Sequence, residues 1–407
     1  MQRQTPARAL RLAIASVIAL AGCSTGNDVT GTTETPTAPV FTTQPSSLLA
    51  TVGTTGLLIA IPSGTTPIGL QWYHDSVAVT GATRDTLPVG PITAADAGVY
   101  YAIATNLAGS DTTTAATITI VPVVSSTAWR QSGGAGASTG REYGSAVADE
   151  SAIYVFNGGV YTFNAPNVTK SGATSDAVAS RARGQNAAVR AGSNGHIYMV
   201  EPVIATDSAG ATAFFATGAG SKVQVSGGII GTSAATAPAI GVSDGGTVVV
   251  NGGTLTATSA DGIVAWAQTA ADAPAAVTLG AGTTLTAGTG VLARAAGGAT
   301  LTLTLDSVTV AGAAVADATS ALALVLQHQA SWGGTMQGGA VSLDATGTWN
   351  VTGASAVTAL TGAAISGTAV TNIIGTATVT YDATLPANAA LGGKTYTLAG
   401  GGQLKPK

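Results

Sequence analysis

Four stretches decide the fold: Lys222-Val-Gln-Val-Ser-Gly-Gly-Ile229, Thr247-Val-Val-Val-Asn-Gly-Gly-Thr254, Ala276-Val-Thr-Leu-Gly-Ala-Gly-Thr283 and Thr302-Leu-Thr-Leu-Asp-Ser-Val-Thr309. Each is a short strand, a small polar bend and the start of a second strand. Their matched apolar residues, Val223, Val248, Val277 and Leu303, recur at intervals of 25, 29 and 26, and Ile197 in His196-Ile-Tyr-Met199 lies 26 residues before the first. One unit repeated at this length is the mark of a solenoid that adds a coil per repeat. Val223, Val225, Val248, Val250, Val277, Leu279, Leu303 and Leu305 face inward, alternating with Thr, Gln and Asn that face water. The glycine pairs 227–228 and 252–253 supply positive φ at corners. Three short strands and three turns per coil predict a right-handed parallel β-helix. A β-sandwich would not repeat one motif at this interval.

The composition of all 407 residues agrees with an all-β chain. Charged residues are 8% and glycines number 55. Long solvated helices need more Lys, Glu and Arg than this. Disorder is disfavoured by 45% hydrophobic residues and a net charge of −4. No basic patch points to nucleic acid. One cysteine excludes an internal disulfide framework and a cysteine-rich zinc site, and three histidines leave little for metal chemistry. No cofactor is expected.

The N-terminus reads as an export leader. Arg3, Arg8 and Arg11 precede the apolar run 12–20, which is too short to span a bilayer. It ends in Leu20-Ala21-Gly22-Cys23. This resembles the lipobox of bacterial lipoproteins, which implies cleavage after residue 22 and lipid on Cys23, with the membrane as a partner through that lipid. Ser24 follows, and the family's inner-membrane retention signal is Asp there, so the resemblance implies the outer membrane. Loss of residues 1–22 takes the charge from −4 to −7. Residues 23–38 are a Ser/Thr/Gly/Pro-rich tether.

Residues 39–122 carry Leu57–Ile61, Leu70–Tyr73, Val99–Ala104 and Ala116–Val121, short strand-like runs with turn signals between them. Asp96-Ala-Gly-Val-Tyr100 resembles the D-x-G-x-Y stretch of immunoglobulin domains, with Tyr100 as the corner tyrosine and Trp72 as the buried tryptophan. The family's two cysteines would fall at Ala60 and Ala102, so its inter-sheet disulfide is missing. The expected role is a spacer. The fold class is thus an immunoglobulin-like sandwich followed by the β-helix.

Residues 123–195 are expected to hold a linker and the N-terminal cap or first coils. Trp129, Tyr143, Tyr154, Phe156, Tyr161 and Phe163 are read as capping an apolar end rather than as a sugar platform, and Ile153–Phe156 and Val160–Phe163 as two strands about a tight turn at Asn157-Gly-Gly159. Residues 196–346 are the β-helix proper. In 347–407, Gly347-Thr-Trp-Asn-Val-Thr-Gly-Ala-Ser-Ala-Val-Thr-Ala-Leu360 resembles the segment near the passenger end of pertactin-like autotransporters. The resemblance implies that Trp349 closes the last apolar cross-section. No translocator barrel follows before Lys407, so the expectation is passenger-like material on a lipid anchor.

Polysaccharide lyases and hydrolases also use β-helices, and their sites need clustered acids. Here Asp207, Asp244, Asp261, Asp272, Asp306, Asp317, Asp344 and Asp382 are scattered, mostly beside small turn-forming residues. His196 and His328 have no nucleophile elbow near them. Arg181, Arg183 and Arg190 lack nearby acids. Rows such as Thr254/Thr256/Thr258 raise an ice-binding plane, but Thr is also an ordinary exposed strand residue. No catalytic, metal or cofactor residues are assigned. The expected function is a non-enzymatic adhesin or structural surface protein that binds a glycan, a cell surface or a protein. The alternative is an enzyme that cleaves an acidic polysaccharide.

Overall fold

The computed structural model describes residues 35–51, 55–121, 128–234, 237–258, 263–268, 273–288 and 290–407. The leader, Cys23 and the tether as far as Glu34 lie outside them, as do Asp261 and Asp272.

The first unit is a β-sandwich of short strands. Gly69–His74, Gly98–Asn106 and Ala116–Val121 run antiparallel side by side, and Leu48–Thr51 adds to Ala116–Val121 in parallel. Trp72 stands opposite Ala102 in the register and is fully buried with Ala60 and Ala102 around it. Two methyl groups where larger side chains would crowd the indole leave it room to fill the gap between sheets. Its Nε1 donates to Arg84 O at 2.9 Å, so the buried polar atom is satisfied. Tyr100 donates its hydroxyl to Asp96 O at 3.1 Å. Asp96 in turn accepts from the Thr93 backbone and hydroxyl, both at 2.7 Å, which fixes the turn before the strand.

The second unit is a right-handed parallel β-solenoid of about 11 turns. Its three faces are set by consecutive strands: Trp129–Ser132, Ala135–Thr139 and Glu142–Ser145 in the first coil, then Ile153–Phe156, Val160–Asn164 and Asn167–Lys170 in the second. Ile197 pairs with Val223, Val223 with Val248, Val248 with Val277 and Val277 with Leu303. Those are the residues the repeat aligns, and all five are fully buried. At corners, Gly227, Gly228, Gly252 and Gly253 have φ of 71, 89, 77 and 79°. A Cβ on Gly253 would press on the Gly227 backbone of the coil before it, so the glycines stack as well as turn.

One local reading holds in an unexpected setting and one changes. Strands Ile153–Phe156 and Val160–Asn164 do flank a tight turn, with Asn157 and Gly158 at φ 51 and 71°. They are not a hairpin: each pairs in parallel with the following coil, because a corner sends the second strand onto the next face. Trp349 is buried but does not end the stack. It pairs with Trp332 below and Ile373 above, and its ring stacks on Trp332 at 5.1 Å. The end lies further on, where the 3-10 turn Pro386–Leu391 and the antiparallel strands Tyr396–Ala399 and Gln403–Pro406 fold back. Tyr381, Leu391, Tyr396 and Leu404 fill the last cross-section. The motif was correctly apolar, but only the register shows how many coils follow it.

At the other end, Trp129, Tyr143, Tyr161 and Phe163 form one ring cluster with centroids 4.4–6.1 Å apart. Large rings cover the apolar cross-section that no preceding coil covers among the described residues. Tyr154 and Phe156, expected in the same cap, face outward instead, because they alternate with inward Ile153 and Val155. The sandwich rests on the third face through Leu49, which is buried against Ala205 and Val203 and lies over Gly231. Thr254, Thr256, Thr284 and Thr286 line the roughly 440 Å³ cleft beneath it. A threonine plane roofed by another unit is not a free flat face for ice.

Candidate functional site

The first face of the solenoid carries a row that its strands build one coil at a time. Register places Arg130 beside Tyr154, Tyr154 beside Arg190, Arg190 beside Phe215, and then Gly241, Trp266 and Arg294. All point outward because they alternate with inward Ile153, Val155, Val189 and Phe214. The Arg190 guanidinium sits 4.6 Å from the Tyr154 ring centre and that of Arg130 6.0 Å from it. Phe156, on the same strand, stacks on Tyr154 at 4.6 Å with an interplanar angle of 16°. Arg130 meets Glu150 at 3.4 Å. Burial pulls the Arg190 pKa below its usual value, Tyr154 opposes that and Arg130 adds to it. Arg190 Nε is buried and without a hydrogen-bond partner among the described residues.

A helix covers the later part of this row. Ala177–Arg183 starts at Asp176, whose carboxylate accepts from Val178 N and Ala179 N at 2.9 and 3.0 Å, and ends at Gly184 with φ 65°. Asp, an Ala-rich run and Gly spell helix start and stop. Low charge disfavours long solvated helices, and this one of 7 residues is short enough to escape that limit. A Cβ at Gly184 or at Gly241 would overlap the Phe215 ring, so the ring is held between two glycines. Arg181 lies 4.7 Å over Trp266 and donates through Nε to Gln268 Oε1 at 2.9 Å. Phe215 and Trp266 are thereby buried, whereas Arg130 remains half exposed.

A second cluster lies at a corner of later coils. His328 Nδ1 meets Asp306 Oδ1 at 2.9 Å, and the His328 backbone N–H donates to Asp344 Oδ2 at 2.6 Å. His328 and Asp344 border an open depression of about 510 Å³ with Ser307, Gln329 and Thr346. Ser307 Oγ donates to Asp306 at 3.0 Å, so its proton faces the carboxylate and not the imidazole. That is not the order an activated serine needs. Asp317, Asp344 and Asp382 each begin an Asp-Ala-Thr triplet and accept from the Thr N–H and hydroxyl at 2.6–3.0 Å. The Ser320 side chain and the Gly297 N–H at Asp317, the His328 N–H at Asp344 and the Thr384 hydroxyl and N–H at Asp382 do most to hold these carboxyls below the usual range, Asp344 at about 2. Among the described residues no three of His, Cys, Asp and Glu converge for a metal.

No protein-family model matches the chain, and no curated protein matches it. Among solved structures, a chimeric titin Z1Z2-Z1Z2 tandem functionalised with an exogenous fibronectin peptide is 26% identical over 21% of this chain and 51% of that one, with a TM-score of 0.20. Immunoglobulin domains 1-5 of Sidekick-1 are 18% identical over 25% of this chain and 22% of theirs, also with a TM-score of 0.20. The chain therefore spans about half of the first and under a quarter of the second.

Of the residues singled out in the sequence, Trp72, Asp96 and Tyr100 lie together in the sandwich, and Trp349 lies in the solenoid core. They are structural positions far from the outward row. The sequence reading noted Arg181, Arg183 and Arg190 but not their common face. The repeat did not show it: Arg190 follows Tyr154 by 36 residues, a coil lengthened by the helix, so the 25–29-residue spacing does not align them.

Proposed function

We propose that the protein is an exported lipoprotein, anchored through Cys23, whose sandwich is a spacer and whose solenoid is a passenger-like, non-catalytic binding or structural surface element. The observation that carries this reading is the Leu20-Ala-Gly-Cys23 sequence placed ahead of the two β units. A multiply acylated cysteine gives stable membrane attachment. The self-stacked solenoid supports it, since adding coils extends a stiff rod whose outward side chains are free to vary. Its acids support binding over catalysis, because Asp317, Asp344 and Asp382 are occupied in holding turns. Membrane fractionation with labelled fatty acid tests the anchor: Cys23→Ala loses label and becomes soluble, and an unlabelled variant that stays on membranes refutes it.

One observation favours a second reading, a β-helix enzyme acting on acidic polysaccharide: the Asp306–His328 pair at an open corner. Cleavage of polygalacturonate or alginate that is lost in His328→Ala would establish it.

A further inference from the structure

The ring-and-guanidinium row on the first face is continuous, but its covering is not. From Phe215 to Trp266 the helix lies over it, and those rings are buried. From Arg130 to Arg190 the same row has no lid among the described residues, and Arg130, Tyr154, Phe156 and Arg190 all keep exposed surface. Resting on the surface-binding reading above, we infer that this open stretch binds an acidic glycan, a sugar chain bearing carboxylate or sulfate groups laid along the solenoid axis.

The residue chemistry matches both halves of such a ligand. Flat aromatic faces take the apolar C–H face of a sugar ring. Guanidinium forks take carboxylate or sulfate oxygens in pairs. The strand spacing sets the reach: Arg130 and Arg190 are two strands apart, about 9.6 Å, with Tyr154 between them. Arg190 brings a donor that nothing in the fold satisfies, since its buried Nε has no partner among the described residues.

Cationic charge gathers along the row as a whole, with Arg130 and Arg190 in its open stretch. The solenoid has six arginines, and five of them, Arg130, Arg181, Arg183, Arg190 and Arg294, lie on this row or on the helix above it, in a chain whose net charge is negative. One carboxylate competes: Glu150 holds Arg130 at 3.4 Å. That contact makes the inference directional, because neutralising Glu150 releases a guanidinium for the ligand. Nucleic acid also pairs rings with cations, but its phosphate density needs a broader basic surface than a row on an acidic protein.

The test titrates the detergent-solubilised full chain calorimetrically with polygalacturonate, heparin oligosaccharides, neutral dextran and single-stranded DNA. An acidic glycan binds and weakens with salt, dextran does not bind, and the stronger of the two acidic arms tells carboxylate from sulfate. Arg130→Gln and Tyr154→Ala each weaken binding about tenfold, near 1.4 kcal/mol. Tyr154→Phe retains most of it, and Glu150→Gln strengthens it severalfold. Unaltered melting shows that each variant is folded. Equal binding of dextran, tighter binding of DNA, or indifference to all four substitutions overturns the inference. Failure here with persistent attachment to cells leaves the surface-binding reading standing. An unlabelled Cys23→Ala variant that stays on membranes removes that reading instead.

Discussion

Trp72 shows what one side chain does in a sandwich without a cross-link. It is fully buried between the sheets, with alanine on both sides and its Nε1 satisfied by Arg84 O. Truncation leaves a large cavity and an unpaired carbonyl, so Trp72→Ala should cost about 3–5 kcal/mol. Thermal melting of the full chain followed by a probe in the sandwich checks this; a loss below about 1 kcal/mol contradicts it. The acids act by titration. Asp344 is held at about 2 by the His328 and Thr346 backbone N–H groups and the Thr346 hydroxyl, and Asp317 and Asp382 are lowered by similar bonds. A carboxyl lowered by folding adds stability that is complete above its unfolded pKa of about 3.9 and disappears as pH falls through the folded value. The later coils should therefore loosen between about pH 4 and pH 2, and Asp344→Asn should flatten that acid limb. Lys170 shifts in the same direction, but its shift costs stability at neutral pH where the Asp shifts add it. Its side chain is buried and donates to Val147 O and Gly172 O at 2.9 and 2.7 Å, yet desolvation lowers its pKa to about 8. The unfolded chain binds the extra proton between pH 8 and about 10.4, so the first coils gain stability as pH rises through that window. Lys170→Met should remove the rise.

Elements in this molecule are held from above and below. Ser331–Gly334, Thr348–Val351 and Ala369–Ile374 follow one another on the third face, and the Trp332–Trp349 stack lies inside them. Trp349→Ala should raise hydrogen exchange in those three strands while 222–250 stay protected, since solenoid coupling runs between neighbours. A uniform rise would indicate one cooperative core. The helix Ala177–Arg183 depends on glycine: a larger residue at 241 has no space beside Phe215. Gly241→Val should push the helix off the face. Proteolysis between 177 and 184 should speed up, and Trp266 fluorescence should shift to the red. An unchanged spectrum would mean that Phe215 moves and the helix does not.

At the scale of the whole molecule, the sandwich meets the solenoid through few residues. Leu49 is the buried contact, against Ala205 and Val203. A charge there cannot be paired, so Leu49→Asp should separate the units and raise the radius of gyration in small-angle scattering, with strand content unchanged.

The sequence by itself determined the coil. A 25–29-residue repeat of inward Val and Leu has one economical burial, stacking each strand on its copy, and the pairing Ile197–Val223–Val248–Val277–Leu303 follows from it. The Asp96–Tyr100 stretch and Trp72 likewise spoke for the sandwich from local pattern alone. Tertiary structure decided what depends on counting coils and on contact between distant residues. Trp349 reads as terminal in its motif and proves internal because more strands stack on it. Asp306 and His328, 22 residues apart, meet at a corner only because neighbouring coils are in register. Arg130, Tyr154 and Arg190 are scattered over three coils of unequal length, and only the parallel ladder, which aligns residues by hydrogen bonding rather than by sequence distance, makes them one row.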